Sequence, residues 1–304
     1  VRTQYWDFNN QLVFSPRVVL AFEPNWTQDW LFRLSGGAYH QPTFYKEVFD
    51  RHGNKNQNIK AQESYHIVGG ADYNFMAWRR PFKFVAEVYY KKLQNLIPYT
   101  VDNLRIIYEG DNKAEGYATG LDFKITGEFV KGVDSWLSVS LMKTREDLKN
   151  DSYVIEDDNG NQTTITPGYI PRPTDQAVTV NLFFQDYFPG NPTWKMHLNL
   201  VYGSGLPFGP PNSPRYAATA RMPDYRRVDI GMSKSLISSQ RTYKNPKGPV
   251  KWFDDLWIGV EVFNLFDINN TISYTWVRDV YNREYAVPNY LTSRLFNIKL
   301  SGRF

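Results

Sequence analysis

The chain has 304 residues, enough for one large domain or two small ones, and is 42% hydrophobic, 16% aromatic and 22% charged with a formal net charge of +4. Its mean hydropathy is −0.51 and no apolar run approaches the roughly 18 residues of a membrane-crossing helix, which excludes a helical membrane protein. With no cysteine there is no disulfide framework, thiolate zinc site or cysteine nucleophile, and the slight excess of positive charge is too small to point to nucleic acid.

Taken in chain order, segment after segment shows a period of two, with one face apolar and the other polar or small. Residues 1–9 form a first, weaker strand. Val18, Leu20 and Phe22 then alternate with Val19, Ala21 and Glu23, and Trp30, Phe32 and Leu34 alternate with Leu31, Arg33 and Ser35. After a weaker segment at 61–77, Phe84, Ala86, Val88 and Tyr90 alternate with Val85, Glu87, Tyr89 and Lys91. Leu121, Phe123 and Ile125 oppose Asp122, Lys124 and Thr126, and Leu137, Val139 and Leu141 oppose Ser138, Ser140 and Met142. Val178, Val180, Leu182 and Phe184 oppose Thr179, Asn181, Phe183 and Gln185; Met196, Leu198, Leu200 and Tyr202 oppose Lys195, His197 and Asn199. Val228, Ile230 and Met232 oppose Arg227, Asp229 and Ser233, and Leu256, Ile258, Val260 and Val262 oppose Trp257, Gly259, Glu261 and Phe263. Last, Phe296, Ile298, Leu300, Gly302 and Phe304 lie against Asn297, Lys299, Ser301 and Arg303. The pattern predicts about twelve strands, many of about ten residues, the length a tilted bilayer-spanning strand needs. No helical stretch competes with it.

The connections alternate. Short turns fall at Glu23–Gln28, Ala77–Pro81, Lys131–Asp134 and Phe188–Pro192, and long connections near residues 41–60, 99–112, 148–173, 205–222 and 267–291. A lysine-rich connection near 237–252 departs from this rhythm, sitting where a short turn belongs. Tight turns on one side and long loops on the other are the signature of a membrane barrel, with the long loops outward and the C-terminus on the periplasmic side. Trp26, Trp30, Trp78, Phe82, Trp136, Tyr187, Trp194, Trp252 and Trp257 lie near the short turns, where an interfacial girdle would place them. The alternative, a soluble β-sandwich with an aromatic core, explains neither the loop asymmetry nor the charged second face.

No enzyme signature emerges, and no cofactor is expected. His40, His52, His66 and His197 lack metal-binding spacing and read as polar wall or loop residues. Asp157 to Asn161 has the look of a calcium loop without its closing Glu, and reads better as a hairpin tip, with Asn159-Gly160 suiting a type I′ turn between Tyr153–Ile155 and Thr163–Ile165. Asp254 and Asp255 adjoin a short turn, where solvated charges outnumber catalytic acids.

An ordered set of segments resembles the barrel half of TonB-dependent outer-membrane receptors: Phe14-Ser15-Pro16-Arg17, Gly36-Gly37-Ala38-Tyr39-His40-Gln41-Pro42, Ile59-Lys60-Ala61-Gln62-Glu63-Ser64, Arg226-Arg227-Val228-Asp229-Ile230-Gly231, Val262-Phe263-Asn264-Leu265-Phe266-Asp267 and Arg294 to Phe304. They span nearly the whole chain, and Asn269 to Pro288 is similar to Bacteroidetes-type members. The resemblance implies an all-β fold, a transmembrane antiparallel β-barrel, with residues 1–304 supplying about twelve C-terminal strands of a 22-strand barrel. The plug domain and the TonB-engaging segment are then not in this chain. Because a membrane does not tolerate two bare sheet edges, the remaining strands would come from upstream sequence or another chain. A self-contained twelve-strand barrel is the alternative.

The resemblance further implies localisation in the cell outer membrane and active import of a scarce nutrient such as a siderophore, cobalamin, oligosaccharide or peptide, without covalent catalysis. The alternative function is a structural or assembly subunit of an outer-membrane complex built on the same barrel. The implied partners are TonB, outer-membrane lipid and lipopolysaccharide, a surface lipoprotein lid and the rest of the barrel, and no nucleic acid. Arg33, Asp72, Glu87, Asp122, Lys124, Glu128, Lys195, Arg227, Asp229, Glu261 and Lys299 face inward, where they pair with a plug and with one another or line a hydrated wall. Substrate contacts are expected from outer-loop rings and donors: Tyr39, His40, Tyr45, Trp276, Arg278, Tyr281 and Tyr285, with Phe44, Tyr99, Tyr108, Phe208 and Tyr216 nearby. Phe304, Leu300 and Ile298 resemble the family's membrane-assembly signal.

Overall fold

Strict alternation of β-branched or aromatic residues with polar ones favours strands that bury or expose a whole face at once. The computed structural model describes every residue except 157–159, 211–212, 239–251 and 304. The hairpin of β1 (Arg2–Trp6) and β2 (Gln11–Ser15) passes through Pro16 into β3 (Arg17–Phe22), followed by β4 (Asp29–Gln41), β5 (Gln62–Ala77) and β6 (Arg80–Leu96). A small hairpin, β7 (Tyr99–Asp102) and β8 (Arg105–Tyr108), stands before β9 (Ala114–Val130) and β10 (Val133–Leu148). Then come the hairpin β11 (Tyr153–Glu156) and β12 (Gln162–Ile165), the short β13 (Ile170–Pro171), and β14 (Val178–Phe188) with β15 (Asn191–Gly203). β16 (Pro207–Phe208) and β17 (Ala220–Arg221) precede β18 (Tyr225–Ile237) and β19 (Asp255–Phe263), and the hairpin β20 (Thr271–Arg278) and β21 (Glu284–Tyr290) precedes β22 (Leu295–Arg303).

One antiparallel meander follows chain order, β3-β4-β5-β6-β9-β10-β14-β15-β18-β19-β22, and β13 joins β10 to complete a twelve-stranded sheet. The weak strand expected at residues 1–9 is not part of this wall: β1 pairs with β2 alone among the described residues.

The short connections lie at one end of the wall and the long ones at 42–61, 97–113, 149–177, 204–224 and 264–294 at the other; the connection from Ile237 to Asp255 is the exception, long but at the short-turn end. Trp78 and Arg79 bridge Ala77 and Arg80 with φ of 51° and 62°, two bulky residues in the left-handed region that such turns demand. Gly132 and Gly190 supply the positive φ in the turns after β9 and β14. The β11–β12 hairpin forms, but Glu156 pairs with Gln162, which leaves more than the two residues of a type I′ turn; Asp157, Asp158 and Asn159 lie outside the described residues. Most of the lysine-rich connection lies outside them too.

The faces carry the main physical message. Register places Arg33, Asp72, Glu87, Asp122, Lys124, Asn199, Asp229 and Glu261 on one face of the wall. The other face is apolar and open: Leu20 is 61% exposed, Ile67 56%, Val88 53% and Ile298 75%. This reverses a water-soluble fold, in which such side chains would be covered. Along β6 the outward row Phe82, Phe84, Ala86, Val88 and Tyr90 spans about 9 residues, the length of a tilted bilayer-crossing strand, before Lys92 and Gln94 turn it polar. β6 has 17 residues, so at about 3.4 Å each it runs far beyond an apolar band of roughly 25 Å, and its upper part extends past that band toward the long loops.

Rings mark both edges of that band. At the short-turn edge, Trp30 stacks on Tyr73 (4.4 Å between centroids), Tyr73 on Phe75 (5.2 Å), Phe75 on Phe82 (5.6 Å), and Phe82 meets Phe129 edge-on (4.9 Å). Trp26 and Trp78 join this ladder through Phe32 and Phe82. Trp194 lies outward beside Lys234, whose ammonium is 4.9 Å from the ring. At the other edge Tyr90 stacks on Tyr117 and Tyr117 meets Tyr169. Three rings expected in the girdle do not belong to it. Trp136, Tyr187 and Trp257 share the parity of Ser138, Gln185 and Gly259 and therefore point inward, Trp136 beneath the Lys124 ammonium at 5.8 Å. Leu300 and Ile298 point outward on the edge strand β22, while Phe304 lies outside the described residues. A buried apolar cluster, Val48, Ile59 and Ile97 with Trp6, Phe8, Phe49 and Tyr108, packs the long connections against the β1–β2 hairpin and is not in the wall.

Candidate functional site

The inward face is cross-linked by charge. Arg33 Nη2 lies 2.6 Å from Asp72 Oδ1 and 3.1 Å from Glu87 Oε1, and Lys83 Nζ lies 2.7 Å from the other Asp72 oxygen. On β18, Asp229 Oδ1 accepts from Arg227 Nε at 2.7 Å and from the Asn264 backbone N–H at 2.8 Å, while the Leu265 N–H donates to the Val228 carbonyl at 2.7 Å. The segments 226–231 and 262–267 are thus one physical unit. Asn264 takes a left-handed φ of 52°, a conformation asparagine tolerates, and its side chain closes the turn on Ile268. Asp122, Lys195 and Lys299 form no ion pair among the described residues, which leaves fixed charges of both signs on that face of the wall.

Above the wall the long connections are clamped together. Glu146, near the end of β10, has a side chain only 1% exposed and lies 3.3 Å from Arg172 and 3.1 Å from Arg215. Arg215 also donates from Nη2 to the Pro171 carbonyl at 2.6 Å. Burial pushes the Arg215 guanidinium below its usual pKa, with Glu146 opposing the shift, and burial pushes the Tyr99 hydroxyl up. In a second clamp, buried Asp175 pairs with Arg221 and accepts from the Thr144 N–H at 2.7 Å. Ser273 Oγ donates to Asn103 Oδ1 at 2.5 Å and Asn289 Nδ2 donates to the same oxygen at 3.2 Å, tying the β20–β21 hairpin to the tip of β7–β8. Phe208 stacks on Tyr274 at 4.5 Å and Tyr153 on Tyr216 at 4.3 Å.

Arg215 borders two recesses. One is a crevice of about 50 Å³ between Val101, Pro173, Phe208, Tyr274 and Trp276, room for little more than water. The other is a basin of about 770 Å³ bordered by Arg51, Glu109, Asp111, Lys113, Lys149 and Asp151, within the usual range of ligand pockets. Its charges are mixed: Arg51 pairs with Glu109 at 2.6 Å, and burial together with Asp147 raises the Asp151 carboxyl. Such a basin suits a polar ligand with several donors and acceptors.

Of the seven substrate-binding residues expected from sequence, Trp276 lines the crevice, joined there by Phe208. The other six line neither recess. Tyr39 stacks on His66 at 4.1 Å with the Arg17 guanidinium 4.1 Å from its ring, and His40 Nδ1 is 3.0 Å from Ser15 Oγ. Tyr45 is exposed in a one-turn 3-10 helix, edge-on to Phe49. Arg278 pairs with Glu284, the Tyr285 hydroxyl donates to Asp279 at 3.2 Å, and exposed Tyr281 lies beside Arg283, all at the tip of β20–β21. Strand periodicity and turn spacing do not single out Glu146, Arg172, Arg215 or Arg51. The readable trace of the arginines is their proline setting, Pro171-Arg172-Pro173 and Pro214-Arg215, where a stiffened backbone fixes the base of a long side chain.

No protein-family model matches the sequence, and no curated protein is similar to it. Solved structures do match. The outer membrane transporter YddB from Escherichia coli superposes with a TM-score of 0.65 at 13% identity, over 99% of this chain and 42% of that one. The siderophore receptor PiuA from Acinetobacter baumannii gives 0.59 at 16% identity over 96% and 36%, and the copper transporter OprC gives 0.57 at 13% identity over 94% and 38%. The chain therefore spans well under half the length of these proteins, and at such identities the likeness is one of fold. That fold is the β-barrel of TonB-dependent outer-membrane receptors, and the wall described here has the fold of part of it.

Proposed function

We propose that residues 1–304 are the C-terminal part of the barrel of a TonB-dependent receptor in the cell outer membrane, and that the whole protein imports a scarce nutrient. The observation that carries this reading is the inverted polarity of the wall: an apolar face open on one side, ringed by aromatic residues, and a charged, cross-linked face on the other. Lipid covers the first face; strands and a plug supplied by sequence outside this chain close and fill the second. The basin beside Arg215 receives the ligand, and Asp122, Lys195 and Lys299 offer counter-charges to the plug until a pull from TonB moves it. The superposed structures include a copper transporter and a siderophore receptor, which supports uptake through the same kind of barrel; the mixed charge of the basin favours a polar cargo over an apolar one.

Uptake of labelled siderophores, cobalamin, oligosaccharides and peptides, measured in cells with and without TonB, tests the reading. Accumulation of one of them that stops without TonB is expected. Absence of TonB-dependent uptake for every class, in cells where the protein is assembled in the outer membrane, overturns import in favour of a structural subunit.

A further inference from the structure

On the outward face, near the short-turn edge, β14, β15, β18 and β19 enclose a depression of about 460 Å³ walled by Met196, Leu198, Ile230, Met232 and Val260. Its floor is the backbone of the paired residues His197 and Gly231, whose side-chain positions face inward. Asp186, opposite Met196 in register, is the carboxylate at its border. Lys234 lies on the same face, one strand over from Trp194 and two residues beyond Met232 toward the short-turn edge. With strands about 4.8 Å apart and about 3.4 Å per residue, the Asp186 and Lys234 backbones are separated by roughly 12 Å, a span that two flexible side chains close around a headgroup.

We infer that this depression binds one ethanolamine phospholipid of the periplasmic leaflet, its acyl chain in the methionine-lined groove, its phosphate on Lys234 and its ammonium on Asp186. The inference rests on the barrel reading, which puts the short-turn edge at that leaflet, and goes beyond it by naming a lipid. The chemistry selects among headgroups. An apolar concavity alone takes any acyl chain, whereas a cation beside an anion matches a zwitterion. Phosphatidylglycerol offers no cation to Asp186, and a choline group offers that carboxylate no hydrogen-bond donor. Trp194 stands at the same level, where an indole prefers the boundary between chains and headgroups.

The test uses the intact protein purified from outer membranes in mild detergent, titrated with phosphatidylethanolamine, phosphatidylglycerol and phosphatidylcholine of identical chains and read by native mass spectrometry. One tightly held phosphatidylethanolamine is expected. Asp186→Asn should bring phosphatidylethanolamine and phosphatidylglycerol to parity, a change of at most about fivefold for a solvent-accessible ion pair. Met232→Trp should remove the bound lipid by filling the groove, while Leu121→Trp, outward but elsewhere on the wall, should retain it. Heat-modifiable migration of each variant shows that the barrel is intact. Equal binding of the three headgroups by the wild type, retention of lipid by Met232→Trp, or a dimer that this substitution dissociates overturns the inference. Loss of the protein from membranes on carbonate washing instead overturns the barrel reading beneath it.

Discussion

Glu146 holds the loop end of the molecule together, and its removal should separate loop order from barrel order. Its side chain is 1% exposed, that of Arg215 9% and that of Arg172 20%, so truncation to alanine strands two guanidinium groups, one of them almost fully desolvated. Breaking a buried pair by deleting one partner costs about 3–5 kcal/mol. The wall does not have to absorb that cost, because the connections at 149–177 and 204–224 can lift away and rehydrate the arginines. The open population of those connections then rises by about a hundredfold or more, and proteolysis of transiently opened segments tracks that population. Glu146→Gln, which keeps shape and an acceptor oxygen, should fall between, losing about 1.5–3 kcal/mol for a charged hydrogen bond made neutral. The assay is limited proteolysis of the solubilised protein, with cleavage mapped to the two connections and heat-modifiable migration followed in parallel. Glu146→Ala should be cut much faster there with its barrel mobility unchanged, and adding Arg215→Met should restore much of the protection. Cleavage of Glu146→Ala within twofold of the wild type refutes the reasoning.

Three further outcomes follow from other parts of the structure. Leu121→Arg puts a charge on the open apolar face and should cost about 2–4 kcal/mol near the midplane, whereas arginine at the adjacent inward Asp122 should cost far less; urea midpoints of the two variants in lipid vesicles give the comparison. Arg79→Gly relieves a left-handed residue worth roughly 1–2 kcal/mol of strain, so slower unfolding is expected, and faster unfolding at fixed temperature counts against the turn geometry. Burial raises the Glu47 carboxyl above its ordinary pKa, against its hydrogen bonds from the Phe44 N–H and Gln62. Its contribution therefore favours the folded loop below the unfolded pKa and is lost as pH rises through the folded one. Amides around Ile59 should exchange more slowly at pH 4 than at pH 7 after correction for intrinsic rates, and Glu47→Gln should flatten the difference.

What could be read from sequence was local and periodic. A row such as Phe84, Ala86, Val88 and Tyr90 against Val85, Glu87, Tyr89 and Lys91 states both the strand and its two faces, and turn lengths such as Lys131-Gly132 set the topology. Nearness to a turn does not decide which face a side chain takes; parity does. Trp136 and Trp257 lie close to short turns, yet one residue along a strand reverses the face, and their neighbours Leu137 and Ile258 are the outward ones. The tyrosine edge formed by Tyr90, Tyr117 and Tyr169 is not legible in the sequence because its members sit mid-strand or in a loop and align only after pairing. The loop clamps were out of reach for a different reason. Glu146, Arg172 and Arg215 meet across long sequence separations and no period relates them, while the rings expected to gather at one site belong to different elements, Tyr39 to β4, Tyr45 to its 3-10 turn and Trp276 and Tyr285 to the β20–β21 hairpin.

The central claim, that one face of this wall meets lipid and the other does not, can be tested residue by residue because the chain has no cysteine of its own. Single cysteines at Val88, Leu121 and Ile258, and at their neighbours Glu87, Asp122 and Gly259, would carry nitroxide labels in native membranes, with relaxation measured against lipid-dissolved oxygen and an aqueous nickel chelate. The account predicts strong oxygen contact and little chelate contact at the first three, and weak oxygen contact at the second three. Equal oxygen contact at both members of each pair, or ready access of the aqueous chelate to Val88, Leu121 and Ile258, would contradict it.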